Sequence, residues 1–154
     1  MRVPTRSGRI IGLTVAAVAL SFSAVAYAAF YNGTSGADTI VVERNSSVAY
    51  LKGGNDNFEG ARGDDGGSDY VRGGPGDDTV RTYTKVDVLR GGSGNDYLDA
   101  GSHHNNLFGG RGDDTLIAGS NVDQFQPGLG TDTCFGQIKD VNFPGECEIV
   151  RIVE

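Results

Sequence analysis

Asp78, Asp96, Asp114 and Asp132 are evenly spaced along the chain, and a glycine stands two residues before each: Gly76, Gly94, Gly112 and Gly130. A carboxylate that follows a glycine-rich run is an oxygen-donating unit. The side chain brings a negative charge. Glycine lets the backbone curl, so that carbonyl oxygens can face a common centre. There is no nucleophile with a base beside it in this pattern. What the residues could hold is a cation. The same arrangement continues upstream through Asp56 with Gly54 and Asp38 with Gly36, after one insertion of four residues.

The finer period is nine. Asp69, Asp78, Asp87, Asp96, Asn105, Asp114, Asp123 and Asp132 fall on one ruler, and Asp65, Asp56, Ser47 and Asp38 continue it beyond the insertion. Two residues after the ruler positions come Ile40, Ala49, Phe58, Val71, Val80, Leu89, Leu98, Leu107, Leu116, Phe125 and Cys134. A fixed period of this kind is a repeat architecture. Each unit reads as a turn of about six residues and a strand of about three, with one inward residue per strand. Such a strand cannot stand alone. Coils of two turns and two strands must stack and bury a continuous file of the inward residues.

One coil is then a pair of nine-residue units, and alternate units share a face. The first face carries Gly36, Gly54, Gly76, Gly94, Gly112 and Gly130 two residues before the ruler position. The second carries Asn45, Gly67, Lys85, His103 and Asn121 there. This sorting predicts a cation ladder on the first face and a structural second face, on which Asp87 is a solvated turn residue. The insertion makes the step from Asp56 to Asp78 one enlarged coil.

Three units, "GGPGDDTVR" (73–81), "GGSGNDYLD" (91–99) and "GGRGDDTLI" (109–117), fit G-G-x-G-x-D-x-U-x, where U is apolar. The pattern resembles the calcium-binding nonapeptide of the RTX, or haemolysin-type, repeat family, from Gly33 to about Phe135. The resemblance implies an all-β fold, a right-handed parallel β-roll with calcium ions between successive turns on one side. Calcium takes roughly six to eight oxygens, so one turn is too few and each aspartate is expected to bridge two ions. The implied ligands are Gly73, Pro75, Gly76 and Asp78; Gly91, Ser93, Gly94 and Asp96; Gly109, Arg111, Gly112 and Asp114; and Gly130 and Asp132. Asp56 and Asp38 are added with weaker turns, because Leu51, Lys52 and Thr34 replace glycines there.

Residues 1–28 read as a signal peptide. Arg2, Arg6 and Arg9 precede an apolar run over 10–26, and Ala26-Tyr27-Ala28 forms a cleavage site. The run is short for a membrane span of about 20 residues. Of thirteen basic residues, those three arginines fall in this segment and none of the twenty acids does. The remaining chain therefore has ten basic against twenty acidic residues, a charge of −10. That disfavours nucleic acid and suits cations.

Residues 29–135 are assigned to the roll and 136–154 to a cap. Cys134 and Cys147 are expected to pair, as two cysteines in an exported chain most simply do. "CEIVRIV" (147–153) reads as a strand folded back over the open end of the roll, which needs such a cover. Neither G-x-S-x-G nor H-E-x-x-H occurs, and the roll uses nearly all of the mature chain, so no enzyme is expected. His103 and His104 lack a third ligand nearby. The Arg-Gly-Asp triplets at 62–64 and 111–113 are by-products of the repeat. The expectation is a secreted, monomeric calcium-binding protein with no membrane contact after cleavage. The alternative is a solenoid whose flat outer face grips a cell-surface polymer, with calcium as scaffold. The outward file Thr39, Asn57, Thr79, Tyr97, Thr115 and Thr133 is a candidate surface.

Overall fold

The computed structural model describes residues 28–63, 66–137, 141–142, 147 and 149–152. Apart from Ala28, the segment read as a signal peptide lies outside the described residues, and so does Asp65. The chain winds between two seven-stranded parallel sheets. The first sheet holds, in spatial order, β1 (Ala29–Asn32), β3 (Ser47–Tyr50), β5 (Tyr70–Pro75), β7 (Val88–Ser93), β9 (Asn106–Arg111), β11 (Gln124–Leu129) and β13 (Val141–Asn142). The second holds β2 (Thr39–Val41), β4 (Asn57–Glu59), β6 (Thr79–Arg81), β8 (Tyr97–Asp99), β10 (Thr115–Ile117), β12 (Thr133–Gly136) and β14 (Ile149–Ile152). This is an all-β parallel solenoid of about six turns.

The register follows the ruler. Val80 pairs with Leu98, and Leu98 with Leu116, so each step along the sheet is two nine-residue units. Val48 pairs with Tyr70 and Asn57 with Thr79, a step longer by the four inserted positions, so the insertion does make one enlarged coil. All eleven inward apolar residues are buried, none more than 2% exposed. Each large one contributes about 1.5–3 kcal/mol, and stacking makes the file continuous.

The two sheets differ in a way that a uniform nine-residue unit does not foretell. Strands β4, β6, β8 and β10 have three residues, whereas β5, β7, β9 and β11 have six and run on into the glycine turn. The reason is backbone pairing inside that turn. The N–H groups of Gly76, Gly94 and Gly112 donate to the carbonyls of Ser93, Arg111 and Leu129, each at 2.8 Å. The glycine turns are thus stacked as tightly as the strands.

The described strands of the C-terminal segment do not fold back over the end. Its strands continue the winding, β13 beside β11 and β14 beside β12, both parallel. The coil is slightly shorter here, since Gln124 pairs with Val141 and Thr133 with Ile149, one and two positions less than two full units. The Cys134–Cys147 disulfide closes this coil, with the Cα atoms 5.8 Å apart. A closed loop of this length is worth about 3 kcal/mol by the chain-entropy estimate. Cys147→Ser is expected to lower unfolding stability by about that amount, read as a shift in the urea midpoint with an unchanged m-value.

Candidate metal centre

The glycine-side aspartates form one hydrogen-bonded ladder. The N–H of Asp38 donates to Asp56 Oδ1 at 2.7 Å, Asp56 N–H to Asp78 Oδ1 at 2.9 Å, and Asp78 N–H to Asp96 Oδ1 at 2.9 Å. Asp96 N–H donates to Asp114 Oδ1 at 2.8 Å, and Asp114 N–H to Asp132 Oδ1 at 2.9 Å. One carboxylate oxygen of each acceptor is therefore tied to the preceding rung. The other is not. The Oδ2 atoms of Asp56, Asp78, Asp96 and Asp114 are buried without a hydrogen-bond partner. A buried polar atom left so is costly, and more costly when charged.

The space beside these oxygens is kept open by glycine. A Cβ added at Gly73 would collide with Asp78 Oδ2 and stand 2.7 Å from the carbonyl oxygen of Gly91 in the next rung. One added at Gly109 would collide with Asp114 Oδ2 and with the carbonyl oxygen of Pro127. Oxygens from two successive rungs thus border one cradle.

Asn105, on the other face, reveals what such a turn points inward. Its Oδ1 accepts the Asp87 N–H at 2.9 Å. Its Nδ2 donates to the carbonyls of Ala100 and Ser102, each at 3.4 Å, and of His103 at 3.1 Å. These precede Asn105 by five, three and two residues. Gly91, Ser93 and Gly94 precede Asp96 by the same steps. Gly73, Pro75 and Gly76 precede Asp78 so, and Gly109, Arg111 and Gly112 precede Asp114 so. Where Asn105 supplies positive N–H groups to carbonyls, each aspartate brings an acceptor to acceptors. A carboxylate among carbonyls is a donor set for a hard cation such as calcium. Among the described residues no three His, Cys, Asp or Glu side chains cluster; each rung offers one carboxylate, and backbone must do the rest.

The chain matches the RTX calcium-binding nonapeptide repeat four times, over residues 32–66, 72–102, 81–116 and 99–134. These matches span well over half of its length. It belongs to that family. No curated protein matches it. The RTX repeat is a calcium-binding unit, and the buried aspartate ladder of this RTX chain fits such sites.

The outer rungs of the RTX roll are built differently from the middle ones. Asp38 Oδ2 accepts the Thr34 N–H at 2.6 Å and the Thr34 hydroxyl at 3.0 Å, so its own turn satisfies it. In the Asp56 turn, Leu51 stands fully buried where Gly73 and Gly91 leave the cradle open. At the other end Gly130 keeps the left-handed backbone of its counterparts, φ 138°, and Asp132 is buried.

The second face corrects the sequence reading. Asp87 is not solvated; it is fully buried, and its Oδ1 accepts the Asp69 N–H at 2.7 Å. Its Oδ2, like those of Asp78 and Asp96, has no hydrogen-bond partner, so the open cradle and not the orphaned oxygen sets the glycine face apart. Ser47 N–H donates to Asp69 Oδ1 at 2.8 Å and Asn105 N–H to Asp123 Oδ1 at 2.7 Å, so a second ladder runs along this face. The nine-residue ruler contained it, but sorting by glycine hid it. The glycine difference has a physical content all the same. Thr82, Ala100 and Ala118 are buried at the first turn position and put a side chain where Gly73, Gly91 and Gly109 have none. At the fourth position Gly76 and Gly94 have φ of 131° and 121°, whereas Lys85 and His103 have 76° and 83°. The smaller angles are the left-handed region that other residues can enter at some strain.

Burial pushes the carboxyls of Asp87 and Asp96 up to about 7, and those of Asp56 and Asp114 to about 6. Neighbouring aspartates raise Asp96 further. An unfolded aspartate titrates near about 3.9. The folded pKa values are higher, so the metal-free roll gains stability from protons. That gain is complete below the unfolded value and is lost as pH rises through 6 to 7. Metal-free protein is therefore expected to keep more of its β-rich circular-dichroism signal at pH 5 than at pH 8, read in chelator.

Proposed function

We propose that this protein binds calcium ions between successive glycine turns and needs them to fold. The observation that carries this reading is the buried Oδ2 of Asp78, Asp96 and Asp114, each beside an open glycine cradle. The ligands are the carbonyls of Gly73, Pro75 and Gly76 with Asp78, of Gly91, Ser93 and Gly94 with Asp96, and of Gly109, Arg111 and Gly112 with Asp114. Gly130 and Asp132 complete the last gap. Asp56 and Asp38 bind more weakly, for the reasons that Leu51 and Thr34 supply.

When bound, calcium supplies positive charge between stacked carboxylates. The chain's own residues do the rest: the glycines leave room, the aspartates set the rung spacing, and the apolar file holds the rungs in register. The protein acts as a secreted monomer without catalytic activity. Residues 1–28 direct export, 29–135 form the body of the roll, the strands within 136–154 extend it, and the disulfide suits an oxidising compartment. Calorimetric titration tests the reading. Calcium is expected to bind at about 0.1–1 mM, the range of extracellular modules. Magnesium is expected not to replace it, because it demands a small octahedral shell and gives up water reluctantly. Equal response to both ions, or to neither, contradicts the proposal.

A further inference from the structure

The outer surface of the first sheet differs in charge from the rest of this acidic chain. Strands β1, β3, β5, β7, β9 and β11 contain no Asp or Glu, but do contain Arg72, Arg90 and Arg111. The second sheet mixes signs, with Glu59 and Asp99 as well as Arg81 and Arg151. Arg72 and Arg90 are direct partners in the ladder, both are exposed, and neither forms an ion pair among the described residues. Like charges directly opposite one another weaken a sheet. Their placement works against folding, and an anion bound across them would relieve it.

Aromatic rings flank these guanidinium groups. Phe30, Tyr50 and Tyr70 meet in tilted pairs with centroids 5.7 and 6.1 Å apart. The Arg90 guanidinium lies 4.0 Å from the centroid of Phe108. Phe30 is 51% exposed. Rings and arginines run from rung to rung, a line along the roll with about 4.8 Å per step.

We infer that this face binds an acidic polysaccharide. Uronate carboxylates pair with Arg72 and Arg90, whose planar forks match a carboxylate in two hydrogen bonds. Sugar rings lay their C–H faces on Tyr50 and Tyr70, while Phe108 supports the Arg90 guanidinium. A linear polymer suits a linear array. An anionic membrane does not, since it is held by clusters of roughly four to eight basic residues. The inference needs the roll folded but does not depend on which turns hold calcium.

The test is a calorimetric titration, in calcium, with a hexasaccharide of alternating glucuronate and N-acetylglucosamine. The neutral N-acetylglucosamine hexamer and phosphatidylserine vesicles are run beside it. Saturable binding of the acidic hexasaccharide is expected, with the neutral one at least about tenfold weaker. Arg72→Gln with Arg90→Gln is expected to lose at least about tenfold in affinity, with the circular dichroism in saturating calcium and the number of ions bound unchanged. Tyr70→Ala is expected to weaken binding as well, which simple charge attraction would not require. No binding of the acidic hexasaccharide, equal binding of the neutral one, unaltered affinity in the arginine variant, or preference for the vesicles overturns the inference.

Discussion

Chelation of calcium at pH 8 is expected to abolish the β-rich circular-dichroism spectrum, and added calcium to restore it. Without the ion, Asp56, Asp78, Asp96 and Asp114 each bury an oxygen that nothing satisfies. Each such atom costs about 1–3 kcal/mol, more if charged. Four of them weigh as much as the whole stability of a typical domain, about 5–15 kcal/mol. Stacked carboxylates about 4.8 Å apart add repulsion. Calcium removes both penalties at once, so its binding energy is largely folding energy. A spectrum indifferent to chelator at pH 8 would mean that the apolar file suffices alone.

Replacing Asp96 by asparagine is expected to do two opposite things. The variant keeps an Oδ1 for the Asp78 N–H and puts an amide where Asp96 Oδ2 lies, as Asn105 does in its own turn. In chelator it should be more stable than the parent by about 1–3 kcal/mol, because an orphaned acceptor becomes a donor to carbonyls. In calcium it should bind fewer ions and gain less from them. Asp87→Asn is the matched change on the other face. It too removes a buried carboxylate with a raised pKa, but its turn has Thr82 in the first position, so the number of ions should stay the same. Ion counts that fall equally in both variants would show that both faces bind.

Much of this was legible in the residues. A period of nine with an apolar residue two places later located every buried rung, because stacking forces the same residue inward at each turn. The four-residue insertion was legible as an enlarged coil for the same reason. The glycines named the open face, since only a residue without Cβ leaves the cradle empty. The second ladder was not legible from glycine alone. Asp87 and Asp69 act through hydrogen bonds to backbone N–H groups one coil away, and a left-handed turn can be entered by Lys85 or His103 as well as by glycine. The long strands of the first sheet were hidden too. They depend on glycine N–H groups pairing across rungs, which no local propensity records. The path of the C-terminal segment was open for a similar reason. A short strand after a disulfide can cover an end or extend it, and only the pairing of β14 with β12 decides.

The calcium ladder is tested most directly by anomalous diffraction from crystals grown in calcium. Peaks are expected in the gaps between the rungs of Asp78, Asp96, Asp114 and Asp132, in a line about 4.8 Å apart on the glycine-turn side. Peaks beside Asp87 and Asp123 instead, or no ordered calcium between the rungs, would contradict it.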